Sequence, residues 1–330
     1  MENSILISTN KGGKWKSQRR TLSPGLNSNL TDDFLQSFHT QTKYLLEALE
    51  KECYNGIEFI PDELMGKFAI GNTFESFLDW ETSVNFFNDD LPGFYEVFRR
   101  VLHLIFVPAT KPIYQISVMW RLSGYEKELR EMLSFIRVCW SRQHMLDKME
   151  EFRRQENNGD LGEKMKYAHI LYTKWDDPDE IFYQFLTIVA GAVESTESVM
   201  GSTLLYIAKF PEVQRKVYEE AKRVIGDDSE RKLSVDDVSR LTYLEMVINE
   251  TMRLITPGTV NNRYVGEDLD LGKRYVMMEM KVALAKIVHK YEIFSSLAHI
   301  DDYDFEFCPF VRVKGGVKIR LEGRRSQVEI

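Results

Sequence analysis

The stretch DEIFYQFLTIVAGAVESTESVMGSTLLYIAKF, Asp179–Phe210, decides the fold class. It contains no proline and is apolar around most of a helical circumference, so it reads as one long buried helix. At about 1.5 Å per residue it would extend roughly 45 Å, enough to cross a domain. Near its middle, AGAVESTES (190–198) sets Ala190, Gly191 and Ala192 ahead of Glu194, Ser195 and Thr196. The small residues let a flat or bulky group approach the backbone, and the acid and hydroxyls that follow are costly inside a core unless they have partners. A purely structural reading is also open, in which the hydroxyls bond back to carbonyls one turn earlier.

The flanking sequence is helical in both directions. Thr31–Cys53 aligns Phe34, Phe38, Leu45 and Leu49 on one stripe, with Thr31 as N-cap. Tyr125–Asn157 is charged and helical in pattern, and its tail RRQENNGDLGEK reads as a loop. Pro211 opens a helix that should stop at Gly226. Thr242 and Glu245 suggest a capping box for TYLEMVINETMRL, which must end before Pro257. An extended piece over 263–271 precedes a helix over Lys273–Tyr291. Near the C-terminus, Val311 and Val313, a Gly315–Gly316 turn, then Val317, Ile319 and Leu321 alternate as a β-hairpin. The class is mainly α with a small β portion, in a single domain over 1–330.

Composition narrows the function. The 330 residues carry 43 Lys+Arg against 51 Asp+Glu, a net charge of −8, and 43% are apolar. An acidic chain is poorly suited to nucleic acid. Cys53, Cys139 and Cys308 form neither a zinc motif nor a disulfide framework, which fits a reducing, cytosol-facing environment. The strongest apolar run, Val101–Val107, is too short to span a bilayer. HExxH, CxxC, P-loop, GxGxxG and GxSxG motifs are absent, and the histidines are scattered.

Two further pairs stand out. Glu250 and Arg253, three apart, can form an ion pair. The same spacing occurs at Glu96/Arg99, Glu150/Arg153, Glu151/Arg154, Glu212/Arg215, Glu220/Arg223 and Glu322/Arg325. Only the apolar setting NETMRLITP distinguishes Glu250 and Arg253, and it predicts burial, with Glu250→Ala stranding a buried arginine. Trp15 and Arg19, one helical turn apart, would suit an anionic group such as a carboxylate, although a plain Trp–Arg stack on a surface helix is the more frequent explanation of such a pair.

Taken in chain order, WKSQRR (15–20), AGAVESTES, and NETMR ahead of Pro257 and Arg263 resemble the cytochrome P450 family, most of all its insect microsomal members. The similarity continues in LSPGL (22–26), KFPEVQRKVYEEAKRVIG (209–226) and KRYVMMEMKVALAKIVHKYEI (273–293). The resemblance implies a haem cofactor, with Trp15 and Arg19 contacting one propionate and Arg263 the other. It implies that Ala192, Glu194 and Ser195, with Thr196 beside them, occupy the oxygen-activating positions. Glu250 and Arg253 would be the buried pair that props the haem-binding loop. The implied activity is haem-thiolate monooxygenation of an apolar small molecule, with dioxygen and electrons from an NADPH-dependent reductase, at the endoplasmic reticulum membrane.

One segment departs from the family. Its ligand loop, F-x-x-G-x-R-x-C-x-G, runs into the helix that begins here at KRYVM. With Gly272 as the last glycine, Asp270 stands at the cysteine, Asp268 at the arginine and Arg263 at the phenylalanine. The loop and the meander before it read as deleted near 271–272. The chain also begins near the family's third helix, without anchor or first strands, which implies an incomplete fold that is cytosolic or peripheral. Two further readings follow: a non-catalytic remnant serving as a scaffold or partner-binding protein without haem, and weak haem binding without monooxygenation.

Overall fold

The computed structural model describes residues 31–79, 85–88, 93–139, 142–159, 167–256, 273–296, 304–307 and 311–324, with 17, 18, 20–22 and 24. In chain order the helices begin with α1 (Thr31–Asn55), α2 (Asp62–Leu78), α3 (Phe94–Thr110) and α4 (Ser117–Leu122). They continue as α5 (Tyr125–Cys139), α6 (Arg142–Asn158), α7 (Tyr167–Thr173) and α8 (Pro178–Lys209). Four more follow: α9 (Pro211–Ile225), α10 (Val235–Arg240), α11 (Thr242–Leu254) and α12 (Lys273–Lys290). The strands are β1 (Tyr291–Phe294), β2 (Phe305–Phe307), β3 (Val311–Val313) and β4 (Arg320–Gly323). The fold is therefore mainly α with a small antiparallel β portion.

Two compact units divide the chain. One takes residues 1–30 and 73–191, the other 31–72 and 192–330. In the first, Phe74 meets Phe86, Phe94 and Phe185 edge to face at 5.2, 5.6 and 5.2 Å between centroids, an arrangement that favours aromatic rings beyond simple burial. The charged stretch from Tyr125 onward is helical over α5 and α6. α5 packs on α3 with Ile136 buried, whereas α6 packs on α7 through Met145, Met149 and Phe152. α6 also runs on through RRQENN to Asn158, because Gln and Glu favour helix, and Gly159 at φ 72° ends it.

In the second unit, α1 buries the expected stripe of Phe34, Phe38, Leu45 and Leu49. It packs on α12, which in turn packs on α9. Each fully buried leucine here contributes roughly 1.5–3 kcal/mol. Pro211 starts α9, and Gly226 ends it at φ 81°.

Two local expectations are corrected. Thr242 and Glu245 form no capping box. The Thr242 hydroxyl donates to Glu220 of α9, and Glu245 pairs with Lys281 of α12 at 2.8 Å. Nor do Val311–Val313 and Val317–Leu321 pair with each other as a hairpin. β3 pairs backward with β2, and β4 pairs with β1 across Tyr291↔Gly323 to Phe294↔Arg320. The turn at Gly315 and Gly316 forms, with φ of 80° and 81° that side chains rarely adopt, but it redirects the chain between two sheets.

Candidate functional site

α8 is 32 residues long and is buried for most of its course, with Ile181, Phe185, Val189, Val193, Met200 and Leu204 fully covered. The covering thins near its middle. Ile188, Ala192 and Ser195 are half-buried, and Gly191 is exposed. Their spacing of i, i+3, i+4 and i+7 puts them on one helical face. A Cβ built on Gly191 meets nothing within 4 Å, so an open strip runs along this otherwise buried helix. The small residues of AGAVESTES produce it.

The oxygen-activating candidates do not all share that strip. Ala192 and Ser195 lie on it, and the Ser195 hydroxyl donates to the Ala192 carbonyl at 3.4 Å. Glu194 and Thr196 are buried, and Thr196 Oγ1 has no hydrogen-bond partner among the described residues. An orphaned hydroxyl at full burial costs about 1–3 kcal/mol. Back-bonding to carbonyls one turn earlier explains Thr187 and Thr203, whose hydroxyls donate to Tyr183 and Val199 at 2.9 and 2.7 Å. Ser198 instead reaches across to the Val311 carbonyl at 2.6 Å.

Glu250 and Arg253 do pair, through two hydrogen bonds at 2.8 and 2.6 Å. Their expected burial is corrected: the side chains are 55% and 68% exposed. Leu244, Ile248, Thr251 and Ile255 form the buried stripe of this segment, and the pair occupies the opposite face of α11. The mutual contact pulls Glu250 below the usual carboxylate range.

Sequence reasoning missed Glu220 as an organising residue. Only 4% exposed, its carboxylate accepts from the Tyr243 and Leu244 amides at 2.7 and 2.9 Å and from the Thr242 hydroxyl. It thereby caps α11 from another helix. A contact of that kind leaves no local sequence signal.

Of the residues that the resemblance assigns to the haem, Ala192 is the one described, and it is half-buried on α8. Trp15, Arg19, Arg263, Asp268, Asp270 and Cys308 lie outside the described residues. Of the described cysteines, Cys53 lies in the last turn of α1 and donates its thiol to the Leu321 carbonyl at 3.4 Å, and Cys139 ends α5. Neither belongs to the segment before α12, where the sequence supplies Asp270. Among the described residues no group of three His, Cys, Asp or Glu side chains could hold a metal ion.

Known proteins match this chain closely enough to place it. The cytochrome P450 family model covers residues 1–277. The chain is 26% identical to probable cytochrome P450 313a4 of Drosophila melanogaster, over 81% of this chain and 54% of that relative. It is 25% identical to human cytochrome P450 4V2, over 86% of this chain and 56% of that relative. It spans about half the length of these relatives. The alignment with probable cytochrome P450 4ac1 of Drosophila melanogaster takes in 97% of the chain at 22% identity and runs for 394 positions, more than the chain's 330 residues. That relative therefore holds internal sequence with no counterpart here. The chain belongs to the cytochrome P450 family.

Proposed function

We propose that this chain is by lineage a haem-thiolate monooxygenase that inserts oxygen into an apolar small molecule, and that in the form of this sequence it lacks the ligand needed to complete the reaction. The carrying observation is the family match over residues 1–277; the reading adds that, with Gly272 taken as the last glycine of the ligand loop, Asp270 falls at the cysteine position. The alignment longer than the chain itself supports an internal loss of the kind that would remove the ligand loop. Dioxygen and electrons from an NADPH-dependent reductase would be the co-reactants.

In such enzymes the thiolate-bound haem supplies oxygen activation, because the thiolate pushes electron density that favours O–O cleavage. A carboxylate is a hard oxygen donor without that push. In this reading Trp15, Arg19 and Arg263 would hold the haem propionates, Ala192 would leave room along α8, and Ser195, with Glu194 and Thr196 beside it, would be placed to pass a proton. Membrane-surface attachment has its own support. Ile113, Ile116, Val118 and Leu122, on and just before α4, are 57, 57, 56 and 76% exposed, an apolar group suited to a lipid interface. No helix among the described residues is long and apolar enough to cross a membrane.

A reduced-CO difference spectrum tests the proposal. The chain as sequenced, supplied with haem and reductase, is expected to show no thiolate-type band, and a variant with the ligand loop restored is expected to show one. A thiolate-type band from the unmodified chain would overturn the assignment of Asp270. The second reading, a scaffold without haem, is favoured by the same aspartate. Haem uptake without a thiolate band would speak against it, because propionate contacts do not depend on the axial ligand.

A further inference from the structure

Helix α12 carries MMEMK at 277–281, and Met277, Met278 and Met280 are all buried. Glu279 lies among them at 1% exposure. An ionised carboxylate in such surroundings is strongly disfavoured unless donors or cations compensate it. One donor reaches it: Asn72 Nδ2 of α2 gives a hydrogen bond to Glu279 Oε1 at 3.0 Å. Asn72 is itself fully buried. Glu279 Oε2 and Asn72 Oδ1 are both left without a partner among the described residues.

The charged groups on neighbouring elements are engaged elsewhere. On α12 itself, Lys281 pairs with Glu245 of α11, Lys286 donates to the Ser229 carbonyl, and Lys290 pairs with Glu50 of α1. His289 and His39 bond the Gly226 and Leu233 carbonyls. Glu220 of α9 is held by the start of α11, Asp237 of α10 by Arg231 and Arg240, and Glu292 of β1 is exposed. On α2, Lys67 pairs with Glu63, Asp62 lies beside Gly201, and Glu75 is half-buried one turn beyond Asn72. On α1, Lys43 pairs with Glu47 at the surface.

Two acceptor oxygens are thus stranded on side chains already joined by one hydrogen bond, and among the described residues no cation is directed at them. A single proton resolves both. As a neutral acid, Glu279 has one O–H to donate, and Asn72 Oδ1 is the unfilled acceptor on its partner. The result is a cyclic acid–amide pair, with Asn72 N–H donating to Oε1 and Glu279 O–H donating to Oδ1. We propose that Asn72 and Glu279 form a proton-dependent clasp between α2 and α12, closed by a neutral Glu279 and opened when that proton is lost.

Burial supports the proposal by pushing the Glu279 carboxyl up to about 8, against which the Asn72 hydrogen bond is the smaller influence. The sign follows from linkage. Between the ordinary glutamate value of 4.5 and about 8, the folded chain holds a proton that the unfolded chain has released. The clasp's contribution is complete below that window and is lost as pH rises through it.

The test follows the full chain by urea denaturation from about pH 6 to about pH 9, with Glu279→Gln as the neutral isostere. The wild-type midpoint is expected to fall across this range, and the Gln variant is expected to lose less. Infrared spectroscopy should show a protonated-carboxyl stretch in the wild type at neutral pH, fading as the midpoint falls and absent from Glu279→Gln. If the variant does not fold, the wild-type band and its alkaline loss decide the matter. Identical pH profiles for the two proteins, or no protonated-carboxyl band at neutral pH, would overturn the clasp.

Discussion

Glu220 on α9 and Glu250 on α11 each have an arginine three residues on, Arg223 and Arg253, and the fold uses them in opposite ways. Glu220 ignores Arg223, turns inward and takes the first amides of α11. Glu250 stays outside and pairs with its arginine in solvent. The start of a helix offers unpaired N–H groups and a favourable dipole, so a buried carboxylate there gains directed donors in exchange for lost water. A pair on one exposed face replaces water with a partner that water screens. Spacing in sequence is identical in the two cases; what differs is which face of its helix each carboxylate occupies.

The strongest way to break this comparison is Glu220→Ala. It removes the acceptor for two amides and one hydroxyl at a buried helix start, and about 3 kcal/mol of stability should go with it. Urea denaturation of the variant, beside Arg223→Ala as a neutral control, measures this. If both variants cost equally little, Glu220 is not the cap of α11.

A carboxylate of intermediate character sharpens the contrast. Asp237 closes a true capping box with Ser234, accepting from the Ser234 amide at 2.9 Å while the Ser234 hydroxyl accepts from the Asp237 amide at 3.1 Å. Burial alone would raise its carboxyl; the Ser234 amide, Arg231, the Ser234 hydroxyl and Arg240 together overrule it and hold the group well below the usual aspartate range. A lowered value means stability that is present above the ordinary aspartate range and lost as pH falls below it. Asp237→Asn should therefore cost about 1 kcal/mol at neutral pH, and the difference from wild type should shrink in acid. Denaturation midpoints at neutral and acid pH check both parts. A cost that does not change with pH would mean that shape, not charge, holds the box.

These contacts also mark what could be read from the chain beforehand. Helices α1, α8, α9, α11 and α12 were legible because their apolar residues recur at helical spacing. The cap of α11 was not, because it comes from Glu220 on the preceding long helix rather than from Thr242 and Glu245. Alternation at Val311–Leu321 fits the burial of Val313, Val317, Ile319 and Leu321, with Val311 half-buried, but alternation reports a face and not a partner strand. In the site, the small residues at 190–192 announced the open strip on α8. The split between Ser195 on the strip and Thr196 beneath it depends on neighbours that α8 alone does not encode.

The smallest expected effect is the one that first looked largest. In NETMRLITP the apolar letters surround Glu250 and Arg253 in sequence, yet in the helix they stand on the other side. The pair therefore resembles Glu212 and Arg215 of α9, which meet at 2.9 Å with side chains 78% and 53% exposed. Solvent competes for both partners in each pair, and salt screens them equally. Glu250→Ala, Arg253→Ala and the double variant should shift the urea midpoint no more than Glu212→Ala does, and the small shifts should fade as salt is added. A double-mutant cycle is the deciding measurement, because it isolates the coupling from changes in helix propensity. A coupling far larger for Glu250–Arg253 than for Glu212–Arg215, and insensitive to salt, would show that other parts of the protein cover this pair after all.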